Sequence, residues 1–152
     1  MANGGSFQPD ITVAALVLHE GRFLMVEEQV RGACVLNQPA GHVEPGESLL
    51  EAVVRETLEE TGWKVLPTGV VGVYQWSDPD DGNRAYLRFV LAAEALGHDA
   101  DRVLDAGIVR ALWLSPGEMR DSDSPPRSPL VLAAVADFLS GQRLPLSVLR
   151  TP

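Results

Sequence analysis

The amino-acid sequence predicts an α+β domain in which strands and helices alternate irregularly. Three observations carry that expectation. The chain has 152 residues, 45% hydrophobic and 22% charged, an ordinary globular composition that suits one core spanning residues 1–152. Its opening is rich in β-branched apolar residues. A strongly signalled helix then interrupts the strands.

Ile11 to Leu18 is almost wholly apolar, which suits a strand covered on both faces, and His19-Glu20-Gly21 supplies a turn into a returning strand at Arg22 to Val26. A polar segment follows at Glu27 to Ala33, then a short apolar stretch, Cys34 to Leu36, ahead of Pro39 and Gly41. Ser48 and Glu51 have the spacing of a capping box, and Gly62 can take the left-handed conformation that ends a helix, so Ser48 to Thr61 is predicted helical. Gly69 to Trp76 and Arg84 to Ala93 read as the arms of a long hairpin around the turn formers of residues 78–83. Leu96 to Asp105 is polar and acidic, and Ile108 to Leu114 is a further strand. Ser115-Pro116-Gly117-Glu118 starts a short helix, and Ser128-Pro129 introduces a mostly apolar one, Leu130 to Leu139, stopped by Gly141 and expected to pack on the sheet.

Twelve basic against 21 acidic residues give a net charge of −9, which argues against a nucleic-acid polymer as partner and admits small anions only with a cation between. The lone cysteine, Cys34, excludes an intramolecular disulfide and a zinc site built on several thiolates; it reads as a small buried hydrophobe in a reducing compartment. Met1 to Asp10 has neither the basic nor the apolar region of a secretory signal, and no run reaches the roughly 20 apolar residues of a membrane span. A cytoplasmic protein without a membrane partner is expected. His19, His42 and His98 have no ligand spacing and read as turn or loop residues.

The chemistry concentrates on the Ser48–Thr61 helix. At about 100° per residue, Leu50, Val53, Val54 and Thr57 fall on one side, and Glu56, Glu59 and Glu60 are expected together on the other. Like-charge pairs at such spacing cost roughly 0.2–0.5 kcal/mol each, and the C-terminal end of a helix disfavours anions further. A hard divalent cation would turn that repulsion into coordination; a solvated acidic face is the alternative. Arg55, four residues from both Glu51 and Glu59, can hold carboxylates by forked hydrogen bonds or form a surface ion pair worth little. Glu47 stands just before the helix, where the dipole favours a carboxylate.

The full string is Gly41-x5-Glu47-x7-Arg55-Glu56-x2-Glu59-Glu60-x-Gly62. At ordinary residue frequencies it would arise by accident on the order of once per million such chains. It resembles the Nudix box, the loop–helix–loop signature of hydrolases that cleave diphosphate linkages attached to another moiety. Thr57 and Trp63 depart from the aliphatic residues usual at two hydrophobic positions of the box, neither of which carries chemistry. The resemblance implies a Nudix-type α/β/α sandwich with a mixed central β-sheet. It also implies that Glu59 and Glu60 ligate Mg²⁺ or Mn²⁺, often with the Gly41 carbonyl, and that Glu56 holds another metal or activates water. Arg55 would orient these glutamates, and Glu47 would support Arg55 or a metal. The family sometimes uses an acid outside the box as base, for which Asp99, Asp101 and Asp105 are available.

Further segments, Asn37 to His42, Gln75-Trp76, Leu87 to Phe89, Arg127 to Val131 and Ser140 to Arg143, resemble one bacterial phosphatase subgroup of that family. That likeness implies release of phosphate from nucleoside tri- and diphosphates or thiamine-related pyrimidine pyrophosphates. Gln38, Gln75, Trp76 and Arg88 are the candidate substrate contacts, because an aromatic face stacks on a flat heterocycle and Arg pairs with phosphate; a core Trp76 and a strand-surface Arg88 are the alternatives. Two other readings stand beside this one: a Nudix pyrophosphatase acting on ADP-ribose or dinucleoside polyphosphates, and a non-catalytic module that binds a nucleotide or a protein. Monomer and homodimer are both open.

Overall fold

A computed structural model describes residues 5–152; the part of the leader reading that falls on Met1 to Gly4 lies outside the described residues. The strands are β1 (Asp10–His19), β2 (Arg22–Val30), β3 (Ala33–Asn37), β4 (Ala40–His42), β5 (Trp63–Asp78), β6 (Arg84–His98) and β7 (Ile108–Leu114), and the helices are α1 (Leu49–Thr61), α2 (Pro116–Asp121) and α3 (Pro129–Leu139). A 3-10 turn, Leu146–Val148, follows. Among the described residues, no helix is long and apolar enough to cross a membrane.

The apolar run of β1 lies at the centre of the sheet, as a strand buried on both faces must. It pairs in parallel with β6 over Asp10–Val17, antiparallel with β4 through Val13 opposite Gly41, and at its far end with β2. β2 then carries β3 on one edge and β7 on the other. The sheet is therefore mixed. Alternate residues of β1 feed two cores: Ala14 and Leu16 meet Val131, Ala134 and Val135 of α3, while Val13, Ala15 and Val17 meet Ala52 and Val53 of α1. This is the α/β/α sandwich the sequence resemblance implies.

α1 keeps its expected limits because they are set locally. Ser48 accepts from the Glu51 amide, Glu51 accepts from the Ser48 amide, and Gly62 closes the helix at a φ of 76° with its N–H on the Leu58 carbonyl. Ser115 and Glu118 form a second capping box, and Ser128 caps α3.

Several strands run further than expected. The segment Glu27 to Ala33 is not a polar connection: β2 continues to Val30, with Glu27 bound by Arg110 and Glu28 by Arg127. The β5–β6 hairpin extends to Trp63 and His98, with register shifts at Lys64/Val65, Pro67/Gly69 and Val70/Gly72. Each shift breaks the two-residue alternation by which a strand is recognised. His19, His42 and His98 consequently sit at strand ends, and Cys34 is half-buried in β3 rather than fully enclosed.

Candidate active site

The glutamates of α1 differ in depth. Glu60 follows Val53 by seven residues, nearly two full turns, so it falls on the buried side with Val53 and Thr57. It is only 6% exposed, and its Oε1 accepts a 2.6 Å hydrogen bond from the Ala40 amide of β4. Burial pushes its carboxyl up to about 8, against the pull of that amide. Thr57, also buried, returns its hydroxyl to the Val53 carbonyl at 2.7 Å, which satisfies the polar group that the box usually replaces with an aliphatic one.

Glu56 and Glu59 are half-buried and gather with Asp105, each offering an oxygen within 4.8 Å of the others. Asp105 reaches them because its loop is pinned to the end of α1: the Asp105 amide donates to the Glu59 carbonyl at 3.0 Å and the Asp99 amide to the Gly62 carbonyl at 2.8 Å. Both bonds satisfy carbonyls that a helix C-terminus leaves without partners. Asp105 was thus visible in the sequence only as one of three loop acids, and Asp99 and Asp101 do not join the trio.

Arg55 organises the opposite side of this centre. Its Nε and Nη2 take Glu47 at 2.6 and 3.0 Å, its Nη1 takes Glu56 at 2.8 Å and Glu59 at 3.2 Å, and Nη2 also donates to the His42 carbonyl at 3.0 Å. Glu47 does not cap α1; its bond to Arg55 holds it below its ordinary pKa. Glu51, the other carboxylate within sequence reach of Arg55, is committed to the capping box. Burial raises the pKa of Glu56, with Arg55 pulling the other way. Gly41 lies directly over Glu56, and a Cβ there would overlap the carboxyl group and push it out of the place where Arg55 holds it. Hard carboxylate oxygens converging in this way match what Mg²⁺ or Mn²⁺ requires of its ligands.

Beyond β4 a pocket of about 220 Å³ is lined by residues including Ala40, Gly41, Trp76, Tyr86, Arg88, Arg127 and Glu28. The pocket and the carboxylate trio therefore share the three-residue strand β4 as a wall. Trp76 and Tyr86, cross-strand partners, lie with ring centroids 6.1 Å apart and planes 24° from parallel. Arg88 is no strand-surface charge: it is 7% exposed, and its Nη2 donates to Asn37 Oδ1 at 3.0 Å and Gln38 Oε1 at 2.9 Å. Gln38 is fully buried behind the pocket, its amide nitrogen on the Val131 carbonyl, and so holds Arg88 rather than lining the pocket itself. Gln75 alternates with Trp76 along β5 and is exposed outside the pocket. Glu28, which takes Asn37 at 3.1 Å and Arg127 at 3.2 Å, was missed, because it lay in a segment read as a polar connection.

The NUDIX domain pattern matches residues 8–134. The chain is 41% identical over 143 residues to Phosphatase NudJ of Escherichia coli strain K12, spanning 94% of this chain and 92% of that protein. A solved NUDIX hydrolase from Nitrosomonas europaea is 44% identical, with a TM-score of 0.91 over 95% of this chain and 98% of the other. An ADP-ribose pyrophosphatase from Streptococcus suis, 21% identical with a TM-score of 0.65 over 88% of this chain and 92% of that one, shares the fold. Nudix enzymes act on small-molecule substrates and generally use divalent metals. With its sandwich, its box and these likenesses, the chain belongs to the Nudix hydrolase family.

Proposed function

We propose that this chain is a metal-dependent phosphatase that releases phosphate from nucleoside tri- and diphosphates or from thiamine-related pyrimidine pyrophosphates. The observation that carries this reading is the shared wall at β4, with the Glu56–Glu59–Asp105 trio on one side and a pocket holding Trp76 and a buried Arg88 on the other. The similarity to NudJ supports release of a terminal phosphate.

Glu56, Glu59 and Glu60 would hold Mg²⁺ or Mn²⁺ with the Gly41 carbonyl, and Asp105 adds a further oxygen beside Glu56 and Glu59, while one Glu60 oxygen takes the Ala40 amide. The ion supplies Lewis acidity and relieves the repulsion between phosphate oxygens and an incoming nucleophile. Water forms the new O–P bond as the bridging P–O bond breaks, and Glu56, its pKa raised by burial, accepts the water's proton. Asp105 is the other carboxylate of the trio that can take that role. Arg55 keeps Glu56 and Glu59 in place, and Glu47 keeps Arg55 in place. Trp76 offers its face to the ring.

The test is a substrate panel incubated with Mg²⁺ and with Mn²⁺, every product identified. Free phosphate from nucleotides or pyrimidine pyrophosphates is the expected result. Two monophosphates from ADP-ribose or a dinucleoside polyphosphate, without phosphate release elsewhere, would replace the reading with a pyrophosphatase. Nucleotide binding with no turnover would replace it with a binding module.

A further inference from the structure

Arg88 differs from the other arginines whose contacts define the site in having no carboxylate partner. Its two hydrogen bonds both leave from Nη2 and both end on neutral amide oxygens. Those amides are fixed in turn: Asn37 donates to Glu28 at 3.1 Å, and Gln38 donates to the Val131 carbonyl at 2.8 Å. The guanidinium Nε is buried and has no hydrogen-bond partner among the described residues. A buried donor left unmade costs free energy, and a buried charge costs more unless it is paired. Burial accordingly lowers the Arg88 pKa to about 10. Arg88 lines the pocket, so the guanidinium that carries this orphan donor borders the space a ligand would enter.

We propose that Arg88 determines the specificity of the pocket by giving its Nε–H to an anionic phosphate oxygen of the ligand, with Asn37 and Gln38 as positioning residues that aim it. An anion is favoured over a neutral ring acceptor because it supplies both the acceptor and a countercharge in direct contact, where Glu28 and Glu60 act on Arg88 only from a distance. Gln38 and Asn37 serve this end by being amides: they orient the guanidinium without neutralising it. The inference deepens the phosphatase reading, but its first test is independent of turnover.

That test is an NMR titration of the metal-free protein in chelator with inorganic pyrophosphate, following the ¹H–¹⁵N signal of Arg88 Nε, assigned by its disappearance in Arg88→Lys. The signal is expected to move on titration with pyrophosphate and to stay in place with cytidine, which carries the ring but no phosphate. An Nε signal unmoved by pyrophosphate, or moved equally by cytidine, overturns the proposal whether or not the enzyme hydrolyses anything. In turnover assays with Mg²⁺, Arg88→Lys keeps the charge and loses the Nε–H, so KM is expected to rise about tenfold or more while kcat changes less. A variant that folds with its KM unchanged also overturns it.

Discussion

Arg55 and Arg88 stand on opposite sides of β4 and are built in opposite ways. Arg55 is partly exposed and spends its donors on Glu47, Glu56 and Glu59, so its charge is balanced within the protein. Arg88 is buried, is held by neutral amides and keeps one donor back. The lesson is that a guanidinium ringed by carboxylates shapes a site, whereas one ringed by amides leaves its charge available to a visitor.

The carboxylate side is where the largest effect is expected. Glu59→Gln should lower kcat with Mg²⁺ by about a hundredfold or more, because the trio would lose a charged ligand. A variant near wild-type rate, with the fold checked by circular dichroism, would remove the trio as the metal centre and break the contrast. Arg55→Lys retains a cation but cannot span Glu47, Glu56 and Glu59 together, so Mg²⁺ affinity measured by calorimetry should fall about tenfold to a hundredfold. If affinity is unchanged, Arg55 is only a surface ion pair.

On the pocket side, Trp76→Leu should raise KM for a nucleotide about twofold to tenfold with little change in kcat, the loss of one aromatic contact. A fall in kcat instead would move Trp76 from binding toward the chemical step. Glu60 lies between the two sides and sharpens the comparison through stability. Its carboxyl sits at about 8 in the fold against an ordinary 4.5. It therefore takes up a proton on folding between those values; its contribution to stability is fully present below 4.5 and is lost as pH rises toward 8. In chelator, Tm should drop by several °C from pH 5 to 8 on this account, and Glu60→Gln should flatten the slope. Parallel slopes for the two proteins would show that Glu60 enters the fold already ionised.

What could be read from the sequence was what is local. The limits of α1 followed from Ser48, Glu51 and Gly62, whose bonds lie within a few residues of each other. The extent of β5 and β6 did not, because the shifts around Pro67 and Gly69 disrupt alternation while the cross-strand pairing continues. Glu60 was recognised as a box residue but not as a buried one, although a seven-residue step from Val53 places it toward the core. The burial of Arg88 depends on Asn37 and Gln38, some fifty positions away in the chain, and no pattern around residue 88 reveals it. Asp105 required the hydrogen bond that clips its loop to Glu59.

The partition at Ala40–His42 has a mechanical consequence. Only the width of a single peptide chain separates the compartment that would cleave from the compartment that would hold, and that chain is tied to α1 through Ala40 and His42 and laid against β1 through its ladder. The spacing between the two is thus a property of covalent backbone geometry, not of any flexible side chain.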